Sequence, residues 1–173
     1  KSGEKVHVII MAEGVTSRDP VRNRDSKKKE LTDLREVAQS AGKILGVTSL
    51  QLFQYPDNRL DSVDRLDLVK TAEKEIERIK PHTVVTHHSG DVNIDHRIIH
   101  DSVITACRPQ PGHPVRCLLV YEVPSSTEWR PPGSASSFQP NWFEDISITL
   151  EKKMKALELY FTEIREWPHP RSF

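Results

Sequence analysis

Apolar positions along this chain alternate between short β-branched runs and stretches at helical spacing. Val6-His7-Val8-Ile9-Ile10-Met11, bounded by Glu4-Lys5 and Glu13-Gly14, predicts an interior strand. Thr16 to Lys29 is crowded with Arg, Asp and Lys and reads as a solvated loop entering a helix. Leu31, Leu34, Val37, Ala38, Ala41 and Leu45 then keep the helical period, and Gly46 stops it. Leu50-Gln51-Leu52-Phe53 predicts a second strand, and Pro56-Asp57-Asn58-Arg59-Leu60 a turn. Leu66, Val69, Ala72, Ile76 and Ile79 mark a helix over 63–79. Thr83-Val84-Val85-Thr86 is a third strand, Ile94 to Cys107 a helix, and Cys117-Leu118-Leu119-Val120-Tyr121 a fourth strand. Pro124 to Pro140 has no period and is rich in Pro, Ser and Gly, a length that suits a substrate-facing loop. Leu150 to Ile164 closes as a helix with Met154, Leu157, Leu159 and Phe161 available for packing.

Strands alternating with helices predict a Rossmann-like α/β fold, a mostly parallel sheet with helices on both faces. No repeat or interdomain linker interrupts residues 1–173, so one domain is expected. The chain opens Lys1-Ser2-Gly3-Glu4-Lys5 without Met. Gly3 before a strand has the character of a helix C-cap, and Lys1 then reads as the tail of a helix whose body, with the strand before it, lies upstream. The other end, Pro168-His169-Pro170-Arg171-Ser172-Phe173, also stops abruptly.

Composition narrows the partners. Hydrophobic residues are 36% and charged residues 29%, a polar-surfaced globular balance. No apolar run approaches the roughly 20 residues that cross a bilayer, so no membrane partner is expected. Twenty-five basic residues match twenty-five acidic ones, which supplies no electrostatic argument for nucleic acid. Cys107 and Cys117 form neither a disulfide framework nor a C-x-x-C pair, and a reduced cytoplasmic compartment is the default.

In parallel α/β sheets, sites gather in loops after the carboxyl ends of strands. The loop after the third strand, Thr86-His87-His88-Ser89-Gly90-Asp91-Val92-Asn93-Ile94-Asp95-His96-Arg97, concentrates imidazoles and carboxylates at that edge. These are ligand types a borderline cation such as zinc prefers; an Asp N-cap with surface histidines is the plainer alternative. His96 and His100 are four apart on a helix. The metalloprotease motif nonetheless needs Glu after the first His, where Arg97 stands. His87 and His88 point to opposite faces of a strand end, so at most one can face a shared site. No Gly-x-Gly-x-x-Gly follows any strand, which argues against a dinucleotide site.

The segment His88 to Arg97 resembles the second signature of the LmbE/PIG-L family of zinc-dependent de-N-acetylases. Pro56-Asp57-Asn58-Arg59-Leu60-Asp61 and Glu122-Val123-Pro124-Ser125-Ser126-Thr127-Glu128-Trp129 support the resemblance. So does the order strand, Arg35-Glu36 helix, Gly46, strand. It implies the LmbE-like fold with its first strand and helix missing, and hydrolysis of an acetamide on a small-molecule N-acetylated sugar or sugar-like amine. It further implies zinc, or another divalent metal, with His96 as one ligand and Asp95 supporting the catalytic apparatus. Family members often carry H-P-D-H where this chain has Asn93-Ile94-Asp95-His96. Asn93 can donate a hydrogen bond to an oxyanion but supplies no imidazolium. Asp57 and Arg59 suit sugar hydroxyls, although a turn Asp and a surface Arg would look the same. Glu128 and Trp129 line the pocket on this reading, with Trp129 able to stack on a sugar or simply to anchor its loop. Glu13, at the same sheet edge, is ambiguous. The family's A-H-P-D-D-E loop, which brings two further ligands and the general base, occurs nowhere in the 173 residues; these residues alone are therefore expected to be metal-poor and inactive. An amidase on another conjugate and a non-catalytic α/β ligand-binding domain remain as alternatives, and homo-oligomerisation is left open.

Overall fold

The structure, a computed structural model, describes residues 3–172. It is α/β, with four strands, four α-helices and three short 3-10 helices among the described residues. In order these are β1 (His7–Ala12), α1 (Lys28–Leu45), β2 (Ser49–Tyr55), α2 (Arg65–Ile79), β3 (Thr83–His87), α3 (Ile94–Ala106), β4 (Cys117–Tyr121) and α4 (Leu150–Glu158). Every predicted element is present, with ends moved by a few residues. The largest change is at α4, which stops at Glu158, short of Ile164. The helix tail expected at Lys1 lies outside the described residues.

Strand pairing is parallel throughout. β1 runs beside β2 with His7 opposite Ser49 and Ile10 opposite Leu52, and the register slips between Ile10 and Ala12. β3 runs beside β4 with Thr83 opposite Cys117 and His87 opposite Tyr121. The chain divides into two compact units, Lys1–Asp57 with Pro140–Phe173, and Asn58–Gln139. Each holds one strand pair.

In the first unit α1 packs against α4 through small residues. Ala38 and Ala41 on α1 and Ala156 on α4 are buried, so the two backbones approach closely. Gly46 ends α1 in the left-handed region, φ 77°. From there the Val47 N–H reaches back to the Gly42 carbonyl at 2.9 Å, satisfying a helix-end acceptor that a side-chain-bearing residue would reach only with strain. Ile9 and Ile10, expected inside, keep more than a third of their surface exposed, because the described residues pair β1 along one edge only.

In the second unit α2 lies on α3. Asp64 caps α2 by accepting the Leu66 N–H at 2.8 Å. The apolar stripe predicted for α2 turns inward: Val69 and Ile76 meet Ala106 of α3, with Ala72, Cys107 and Val115 around them. Glu75 is buried on the same helix, where the Arg78 guanidinium one turn on donates to its carboxylate at 2.5 and 3.0 Å. No described helix is long and apolar enough to cross a membrane.

Leu68 is 0% exposed whereas Ile148 is 98% exposed. Leu68→Ala should therefore cost about 2–5 kcal/mol in urea unfolding, and Ile148→Ala no more than about 0.5 kcal/mol. Equal effects would mean that the second unit's core is not where these contacts place it.

Candidate functional site

The loop between β3 and α3 is built as tightly as a core. Asp91 is 0% exposed. Its Oδ1 accepts the Asn93 N–H at 2.7 Å, a local turn that launches α3. Asn93 is the N-cap of α3, and its side-chain oxygen accepts the Asp95 N–H at 2.8 Å. Arg97 donates to the carbonyls of Asp91 and Val92 at 2.8 and 2.6 Å, holding the loop down from the first turn of the helix. Gly90 passes so close beneath Ser136 that an added Cβ would collide with its carbonyl oxygen. Only glycine fits there.

Donors from the loop after β4 surround the Asp91 carboxylate. Ser126 Oγ donates to Oδ1, and Thr127 Oγ1 donates to Oδ2 at 2.8 Å. The Thr127 hydroxyl is itself oriented by the Val123 N–H, which it accepts at 2.7 Å. The His96 Nδ1 completes the set at 3.1 Å from Oδ2. Burial pushes the Asp91 pKa up, but the hydrogen bonds from Ser126, Asn93, His96 and Thr127 together outweigh it and hold the carboxyl below its ordinary value. Ser126 Oγ also lies 3.5 Å from His96 Nδ1. Serine and aspartate thus meet the same imidazole nitrogen, whereas a Ser-His-Asp nucleophile needs them on opposite nitrogens. This is not a serine hydrolase triad.

The four histidines of the region separate cleanly. His87 stacks on His96 with ring centroids 4.3 Å apart and planes 14° from parallel. Burial first, and then the neighbouring His96 and His100 imidazoles, drive the His87 pKa down to about 4 against the pull of Asp91. Its Nδ1 is buried with no hydrogen-bond partner among the described residues. His88 points the other way, as strand alternation requires: Nε2 donates to the Ser136 carbonyl at 2.9 Å and the ring meets Phe138 edge-on. His100 Nδ1 donates to the His87 carbonyl at 2.8 Å, so it braces the strand end.

The remaining expected residues fall in distinct places. Asp95 is buried, and its carboxylate serves the backbone after β2: Oδ2 accepts the Asn58 N–H at 2.7 Å and Oδ1 the Leu60 N–H at 3.0 Å. It thereby fixes the backbone around Arg59. Glu128 accepts the N–H groups of Ser125 and Ser126 at 2.6 and 3.2 Å, shaping the loop that carries the Asp91 donors. Glu128 also lines a cavity of about 230 Å³ together with His88, Glu122, Arg130 and Phe138. Trp129 is half exposed. The second unit therefore brings Asn93, Asp95 and His96 together at one loop–helix junction, with Glu128 one loop away.

Asp57 belongs to the first unit, where its Oδ2 accepts the Ser17 N–H at 3.4 Å and the Ser17 hydroxyl at 2.5 Å. It lines a cavity of about 650 Å³ whose walls include Leu31, Leu34, Phe53 and Arg35. Glu13 lines the same cavity, but its carboxylate is already taken. Arg22 donates to it at 2.7 and 2.9 Å, Arg24 at 2.7 Å and Thr16 at 3.0 Å. Burial raises the Glu13 pKa, and these partners more than reverse that. Glu13 ties down the charged loop that follows β1.

Sequence reasoning missed Asp91, Ser126 and Thr127 as a working group, although each stands inside a segment that drew attention. Among the described residues no three His, Cys, Asp or Glu gather as a group able to hold a metal ion. His96 fits a single ligand arm, since Nδ1 is engaged and Nε2 is left for another partner.

A family model for PIG-L, the GlcNAc-PI de-N-acetylases, matches residues 1–107. No curated protein matches the chain in sequence. Among solved structures, the conserved protein TT1542 from Thermus thermophilus superposes with a TM-score of 0.63 at 18% identity, over 94% of this chain and 68% of that one. GalB, the 4-carboxy-2-hydroxymuconate hydratase from Pseudomonas putida, gives 0.65 at 21% identity, over 92% and 68%. The N,N'-diacetylchitobiose deacetylase from Pyrococcus horikoshii gives 0.64 at 18% identity, over 94% of this chain and 61% of its own. The chain thus spans about two thirds of the length of these structures, and the likeness is one of fold.

Asp95→Ala should leave the Asn58 and Leu60 amides without their acceptor, at a cost of about 1–3 kcal/mol. Hydrogen exchange should speed at residues 58 and 60 while the Asn93 amide, held by Asp91, keeps its protection. Unchanged exchange at 58 and 60 would remove Asp95 from this bracing role.

Proposed function

Because this chain belongs to the PIG-L family, we propose that it is a metal-dependent amide hydrolase that removes an acetyl group from an N-acetylated sugar or sugar-like amine. The observation that carries the reading is the family match together with His96. That imidazole, in the first turn of α3, is bonded through Nδ1 to a buried carboxylate, and its Nε2 makes no hydrogen bond among the described residues. The zinc of the proposal, or another divalent ion, would polarise the acetamide carbonyl and lower the pKa of its bound water toward about 7. The described donors fit one arm of such a site and not a whole one, so the roles assigned here are those of this chain's own side chains.

His96 Nε2 is the ligand atom. Asn93 keeps its carbonyl oxygen on the Asp95 N–H, which leaves its NH2 group to donate to the oxygen that gains charge as the amide is attacked. Asp95 acts through position: by holding Asn58 and Leu60 it presents Arg59 to a substrate hydroxyl. Glu128 and Trp129 border the substrate, the exposed indole offering a stacking face for a sugar ring. Asp57, in the first unit, is proposed by itself as a contact for a sugar hydroxyl at the cavity it lines. A cytoplasmic location belongs to the same proposal.

A second reading is kept because GalB is a hydratase on a similar fold, and fold alone does not select a reaction. Substrates decide between them: acetate release from an N-acetyl sugar is hydrolysis, and water addition to an unsaturated acid is not.

In a protein that carries the A-H-P-D-D-E loop together with these residues, His96→Ala should lose bound metal and hydrolysis together; unchanged metal content would sink the ligand assignment. Asn93→Asp retains a cap acceptor while removing the donor. Its turnover should drop by about 10²–10³-fold with metal content intact, and full activity would remove the oxyanion role.

A further inference from the structure

We propose that Asp91, clamped by Ser126 and Thr127 of the loop after β4, is the positioning residue that fixes His96 in the tautomer with the proton on Nδ1 and the lone pair on Nε2. The inference deepens the proposed hydrolase, since the fixed nitrogen is the one assigned there as ligand.

The two Asp91 oxygens face four groups: the Asn93 N–H at 2.7 Å, the Ser126 hydroxyl, the Thr127 hydroxyl at 2.8 Å and His96 Nδ1 at 3.1 Å. The Asn93 amide can only donate. The Thr127 oxygen already accepts the Val123 N–H, which turns its hydroxyl hydrogen toward Asp91. A carboxylate ringed in this way has no proton to give, so the fourth contact requires the hydrogen on Nδ1. Rotation of the ring is opposed from its face as well, where His87 stacks 4.3 Å away. His87 is in turn pinned through its carbonyl by His100. Two loops far apart in sequence, residues 88–93 and 123–128, are thereby joined at one buried carboxylate to aim a single nitrogen. The Ser-Thr pair in Pro124-Ser125-Ser126-Thr127-Glu128 takes a purpose from this that sequence did not reveal. Its hydroxyls act on the imidazole through Asp91 and have no need to touch substrate.

The test is long-range ¹H–¹⁵N NMR of the histidine rings in the metal-free protein at about pH 9, where an ordinary imidazole (pKa about 6.5) is neutral and only its tautomer is in question. His96 should show a protonated Nδ1 and an unprotonated Nε2. The opposite tautomer, or an equal mixture, overturns the proposal whatever the protein does with metal or substrate. Ser126→Ala with Thr127→Val leaves Asp91 and His96 in place, so it tests the clamp without removing the buried charge. In that double variant the His96 tautomer should become mixed, with the α3 amides still protected. A fixed tautomer in a folded double variant would refute the clamp. Failure of the hydrolase reading has a different signature, a correctly fixed His96 in a protein that releases no acetate.

Discussion

A carboxylate with no exposed surface must be surrounded by donors or lose its charge, and Asp91 meets that demand from three directions. Its own loop supplies the Asn93 amide, the loop after β4 supplies two hydroxyls, and α3 supplies an imidazole. Much else in the second unit follows from this centre. Gly90 has to be glycine because the chain is drawn in beneath Ser136. Glu128 must fold back on the Ser125 and Ser126 amides, since that turn carries Ser126 to Asp91. Arg97 closes the loop from the helix side. Removing one donor leaves a buried acceptor short of a partner, and removing the acceptor leaves several donors without one, so the arrangement is cooperative.

Most of the fold was legible because the chain obeys local rules. The period of Leu31, Leu34, Ala38 and Ala41 fits a single helix face, Gly46 stops it in the left-handed region, and the β-branched runs pair in parallel. The end of α4 was not legible. Leu159 and Phe161 continue the apolar pattern, but Phe161 finds no cover and the helical hydrogen bonding lapses into turns. The exposure of Ile9 and Ile10 was equally hidden, because burial depends on pairing that a strand's own composition does not encode.

The site was legible as a segment and less so as a set of roles. His96 and Asn93 stand at the loop–helix junction where spacing placed them, and strand alternation correctly sent His87 and His88 to opposite faces. Which aspartate serves which neighbour was beyond reach. Asp91 and Asp95 are four apart and the resemblance singled out only Asp95; their division of labour is set by backbone groups at 58 and 60 and by hydroxyls at 126 and 127. Such long-range partners leave no periodicity to read. A fold that it shares with a hydratase as well as a deacetylase makes these side-chain roles, and not the architecture, the place where function is decided.

The most direct measurement is acetate release from a panel of N-acetylated amino sugars, before and after treatment with a chelator, by a protein that carries the family's A-H-P-D-D-E loop together with these residues. The account predicts acetate from at least one of them, loss of release on chelation, and recovery when zinc or another divalent ion is returned. Release that is indifferent to the chelator would contradict the metal-dependent mechanism, and no release from any N-acetyl sugar in the metal-supplied protein would contradict the proposed function itself.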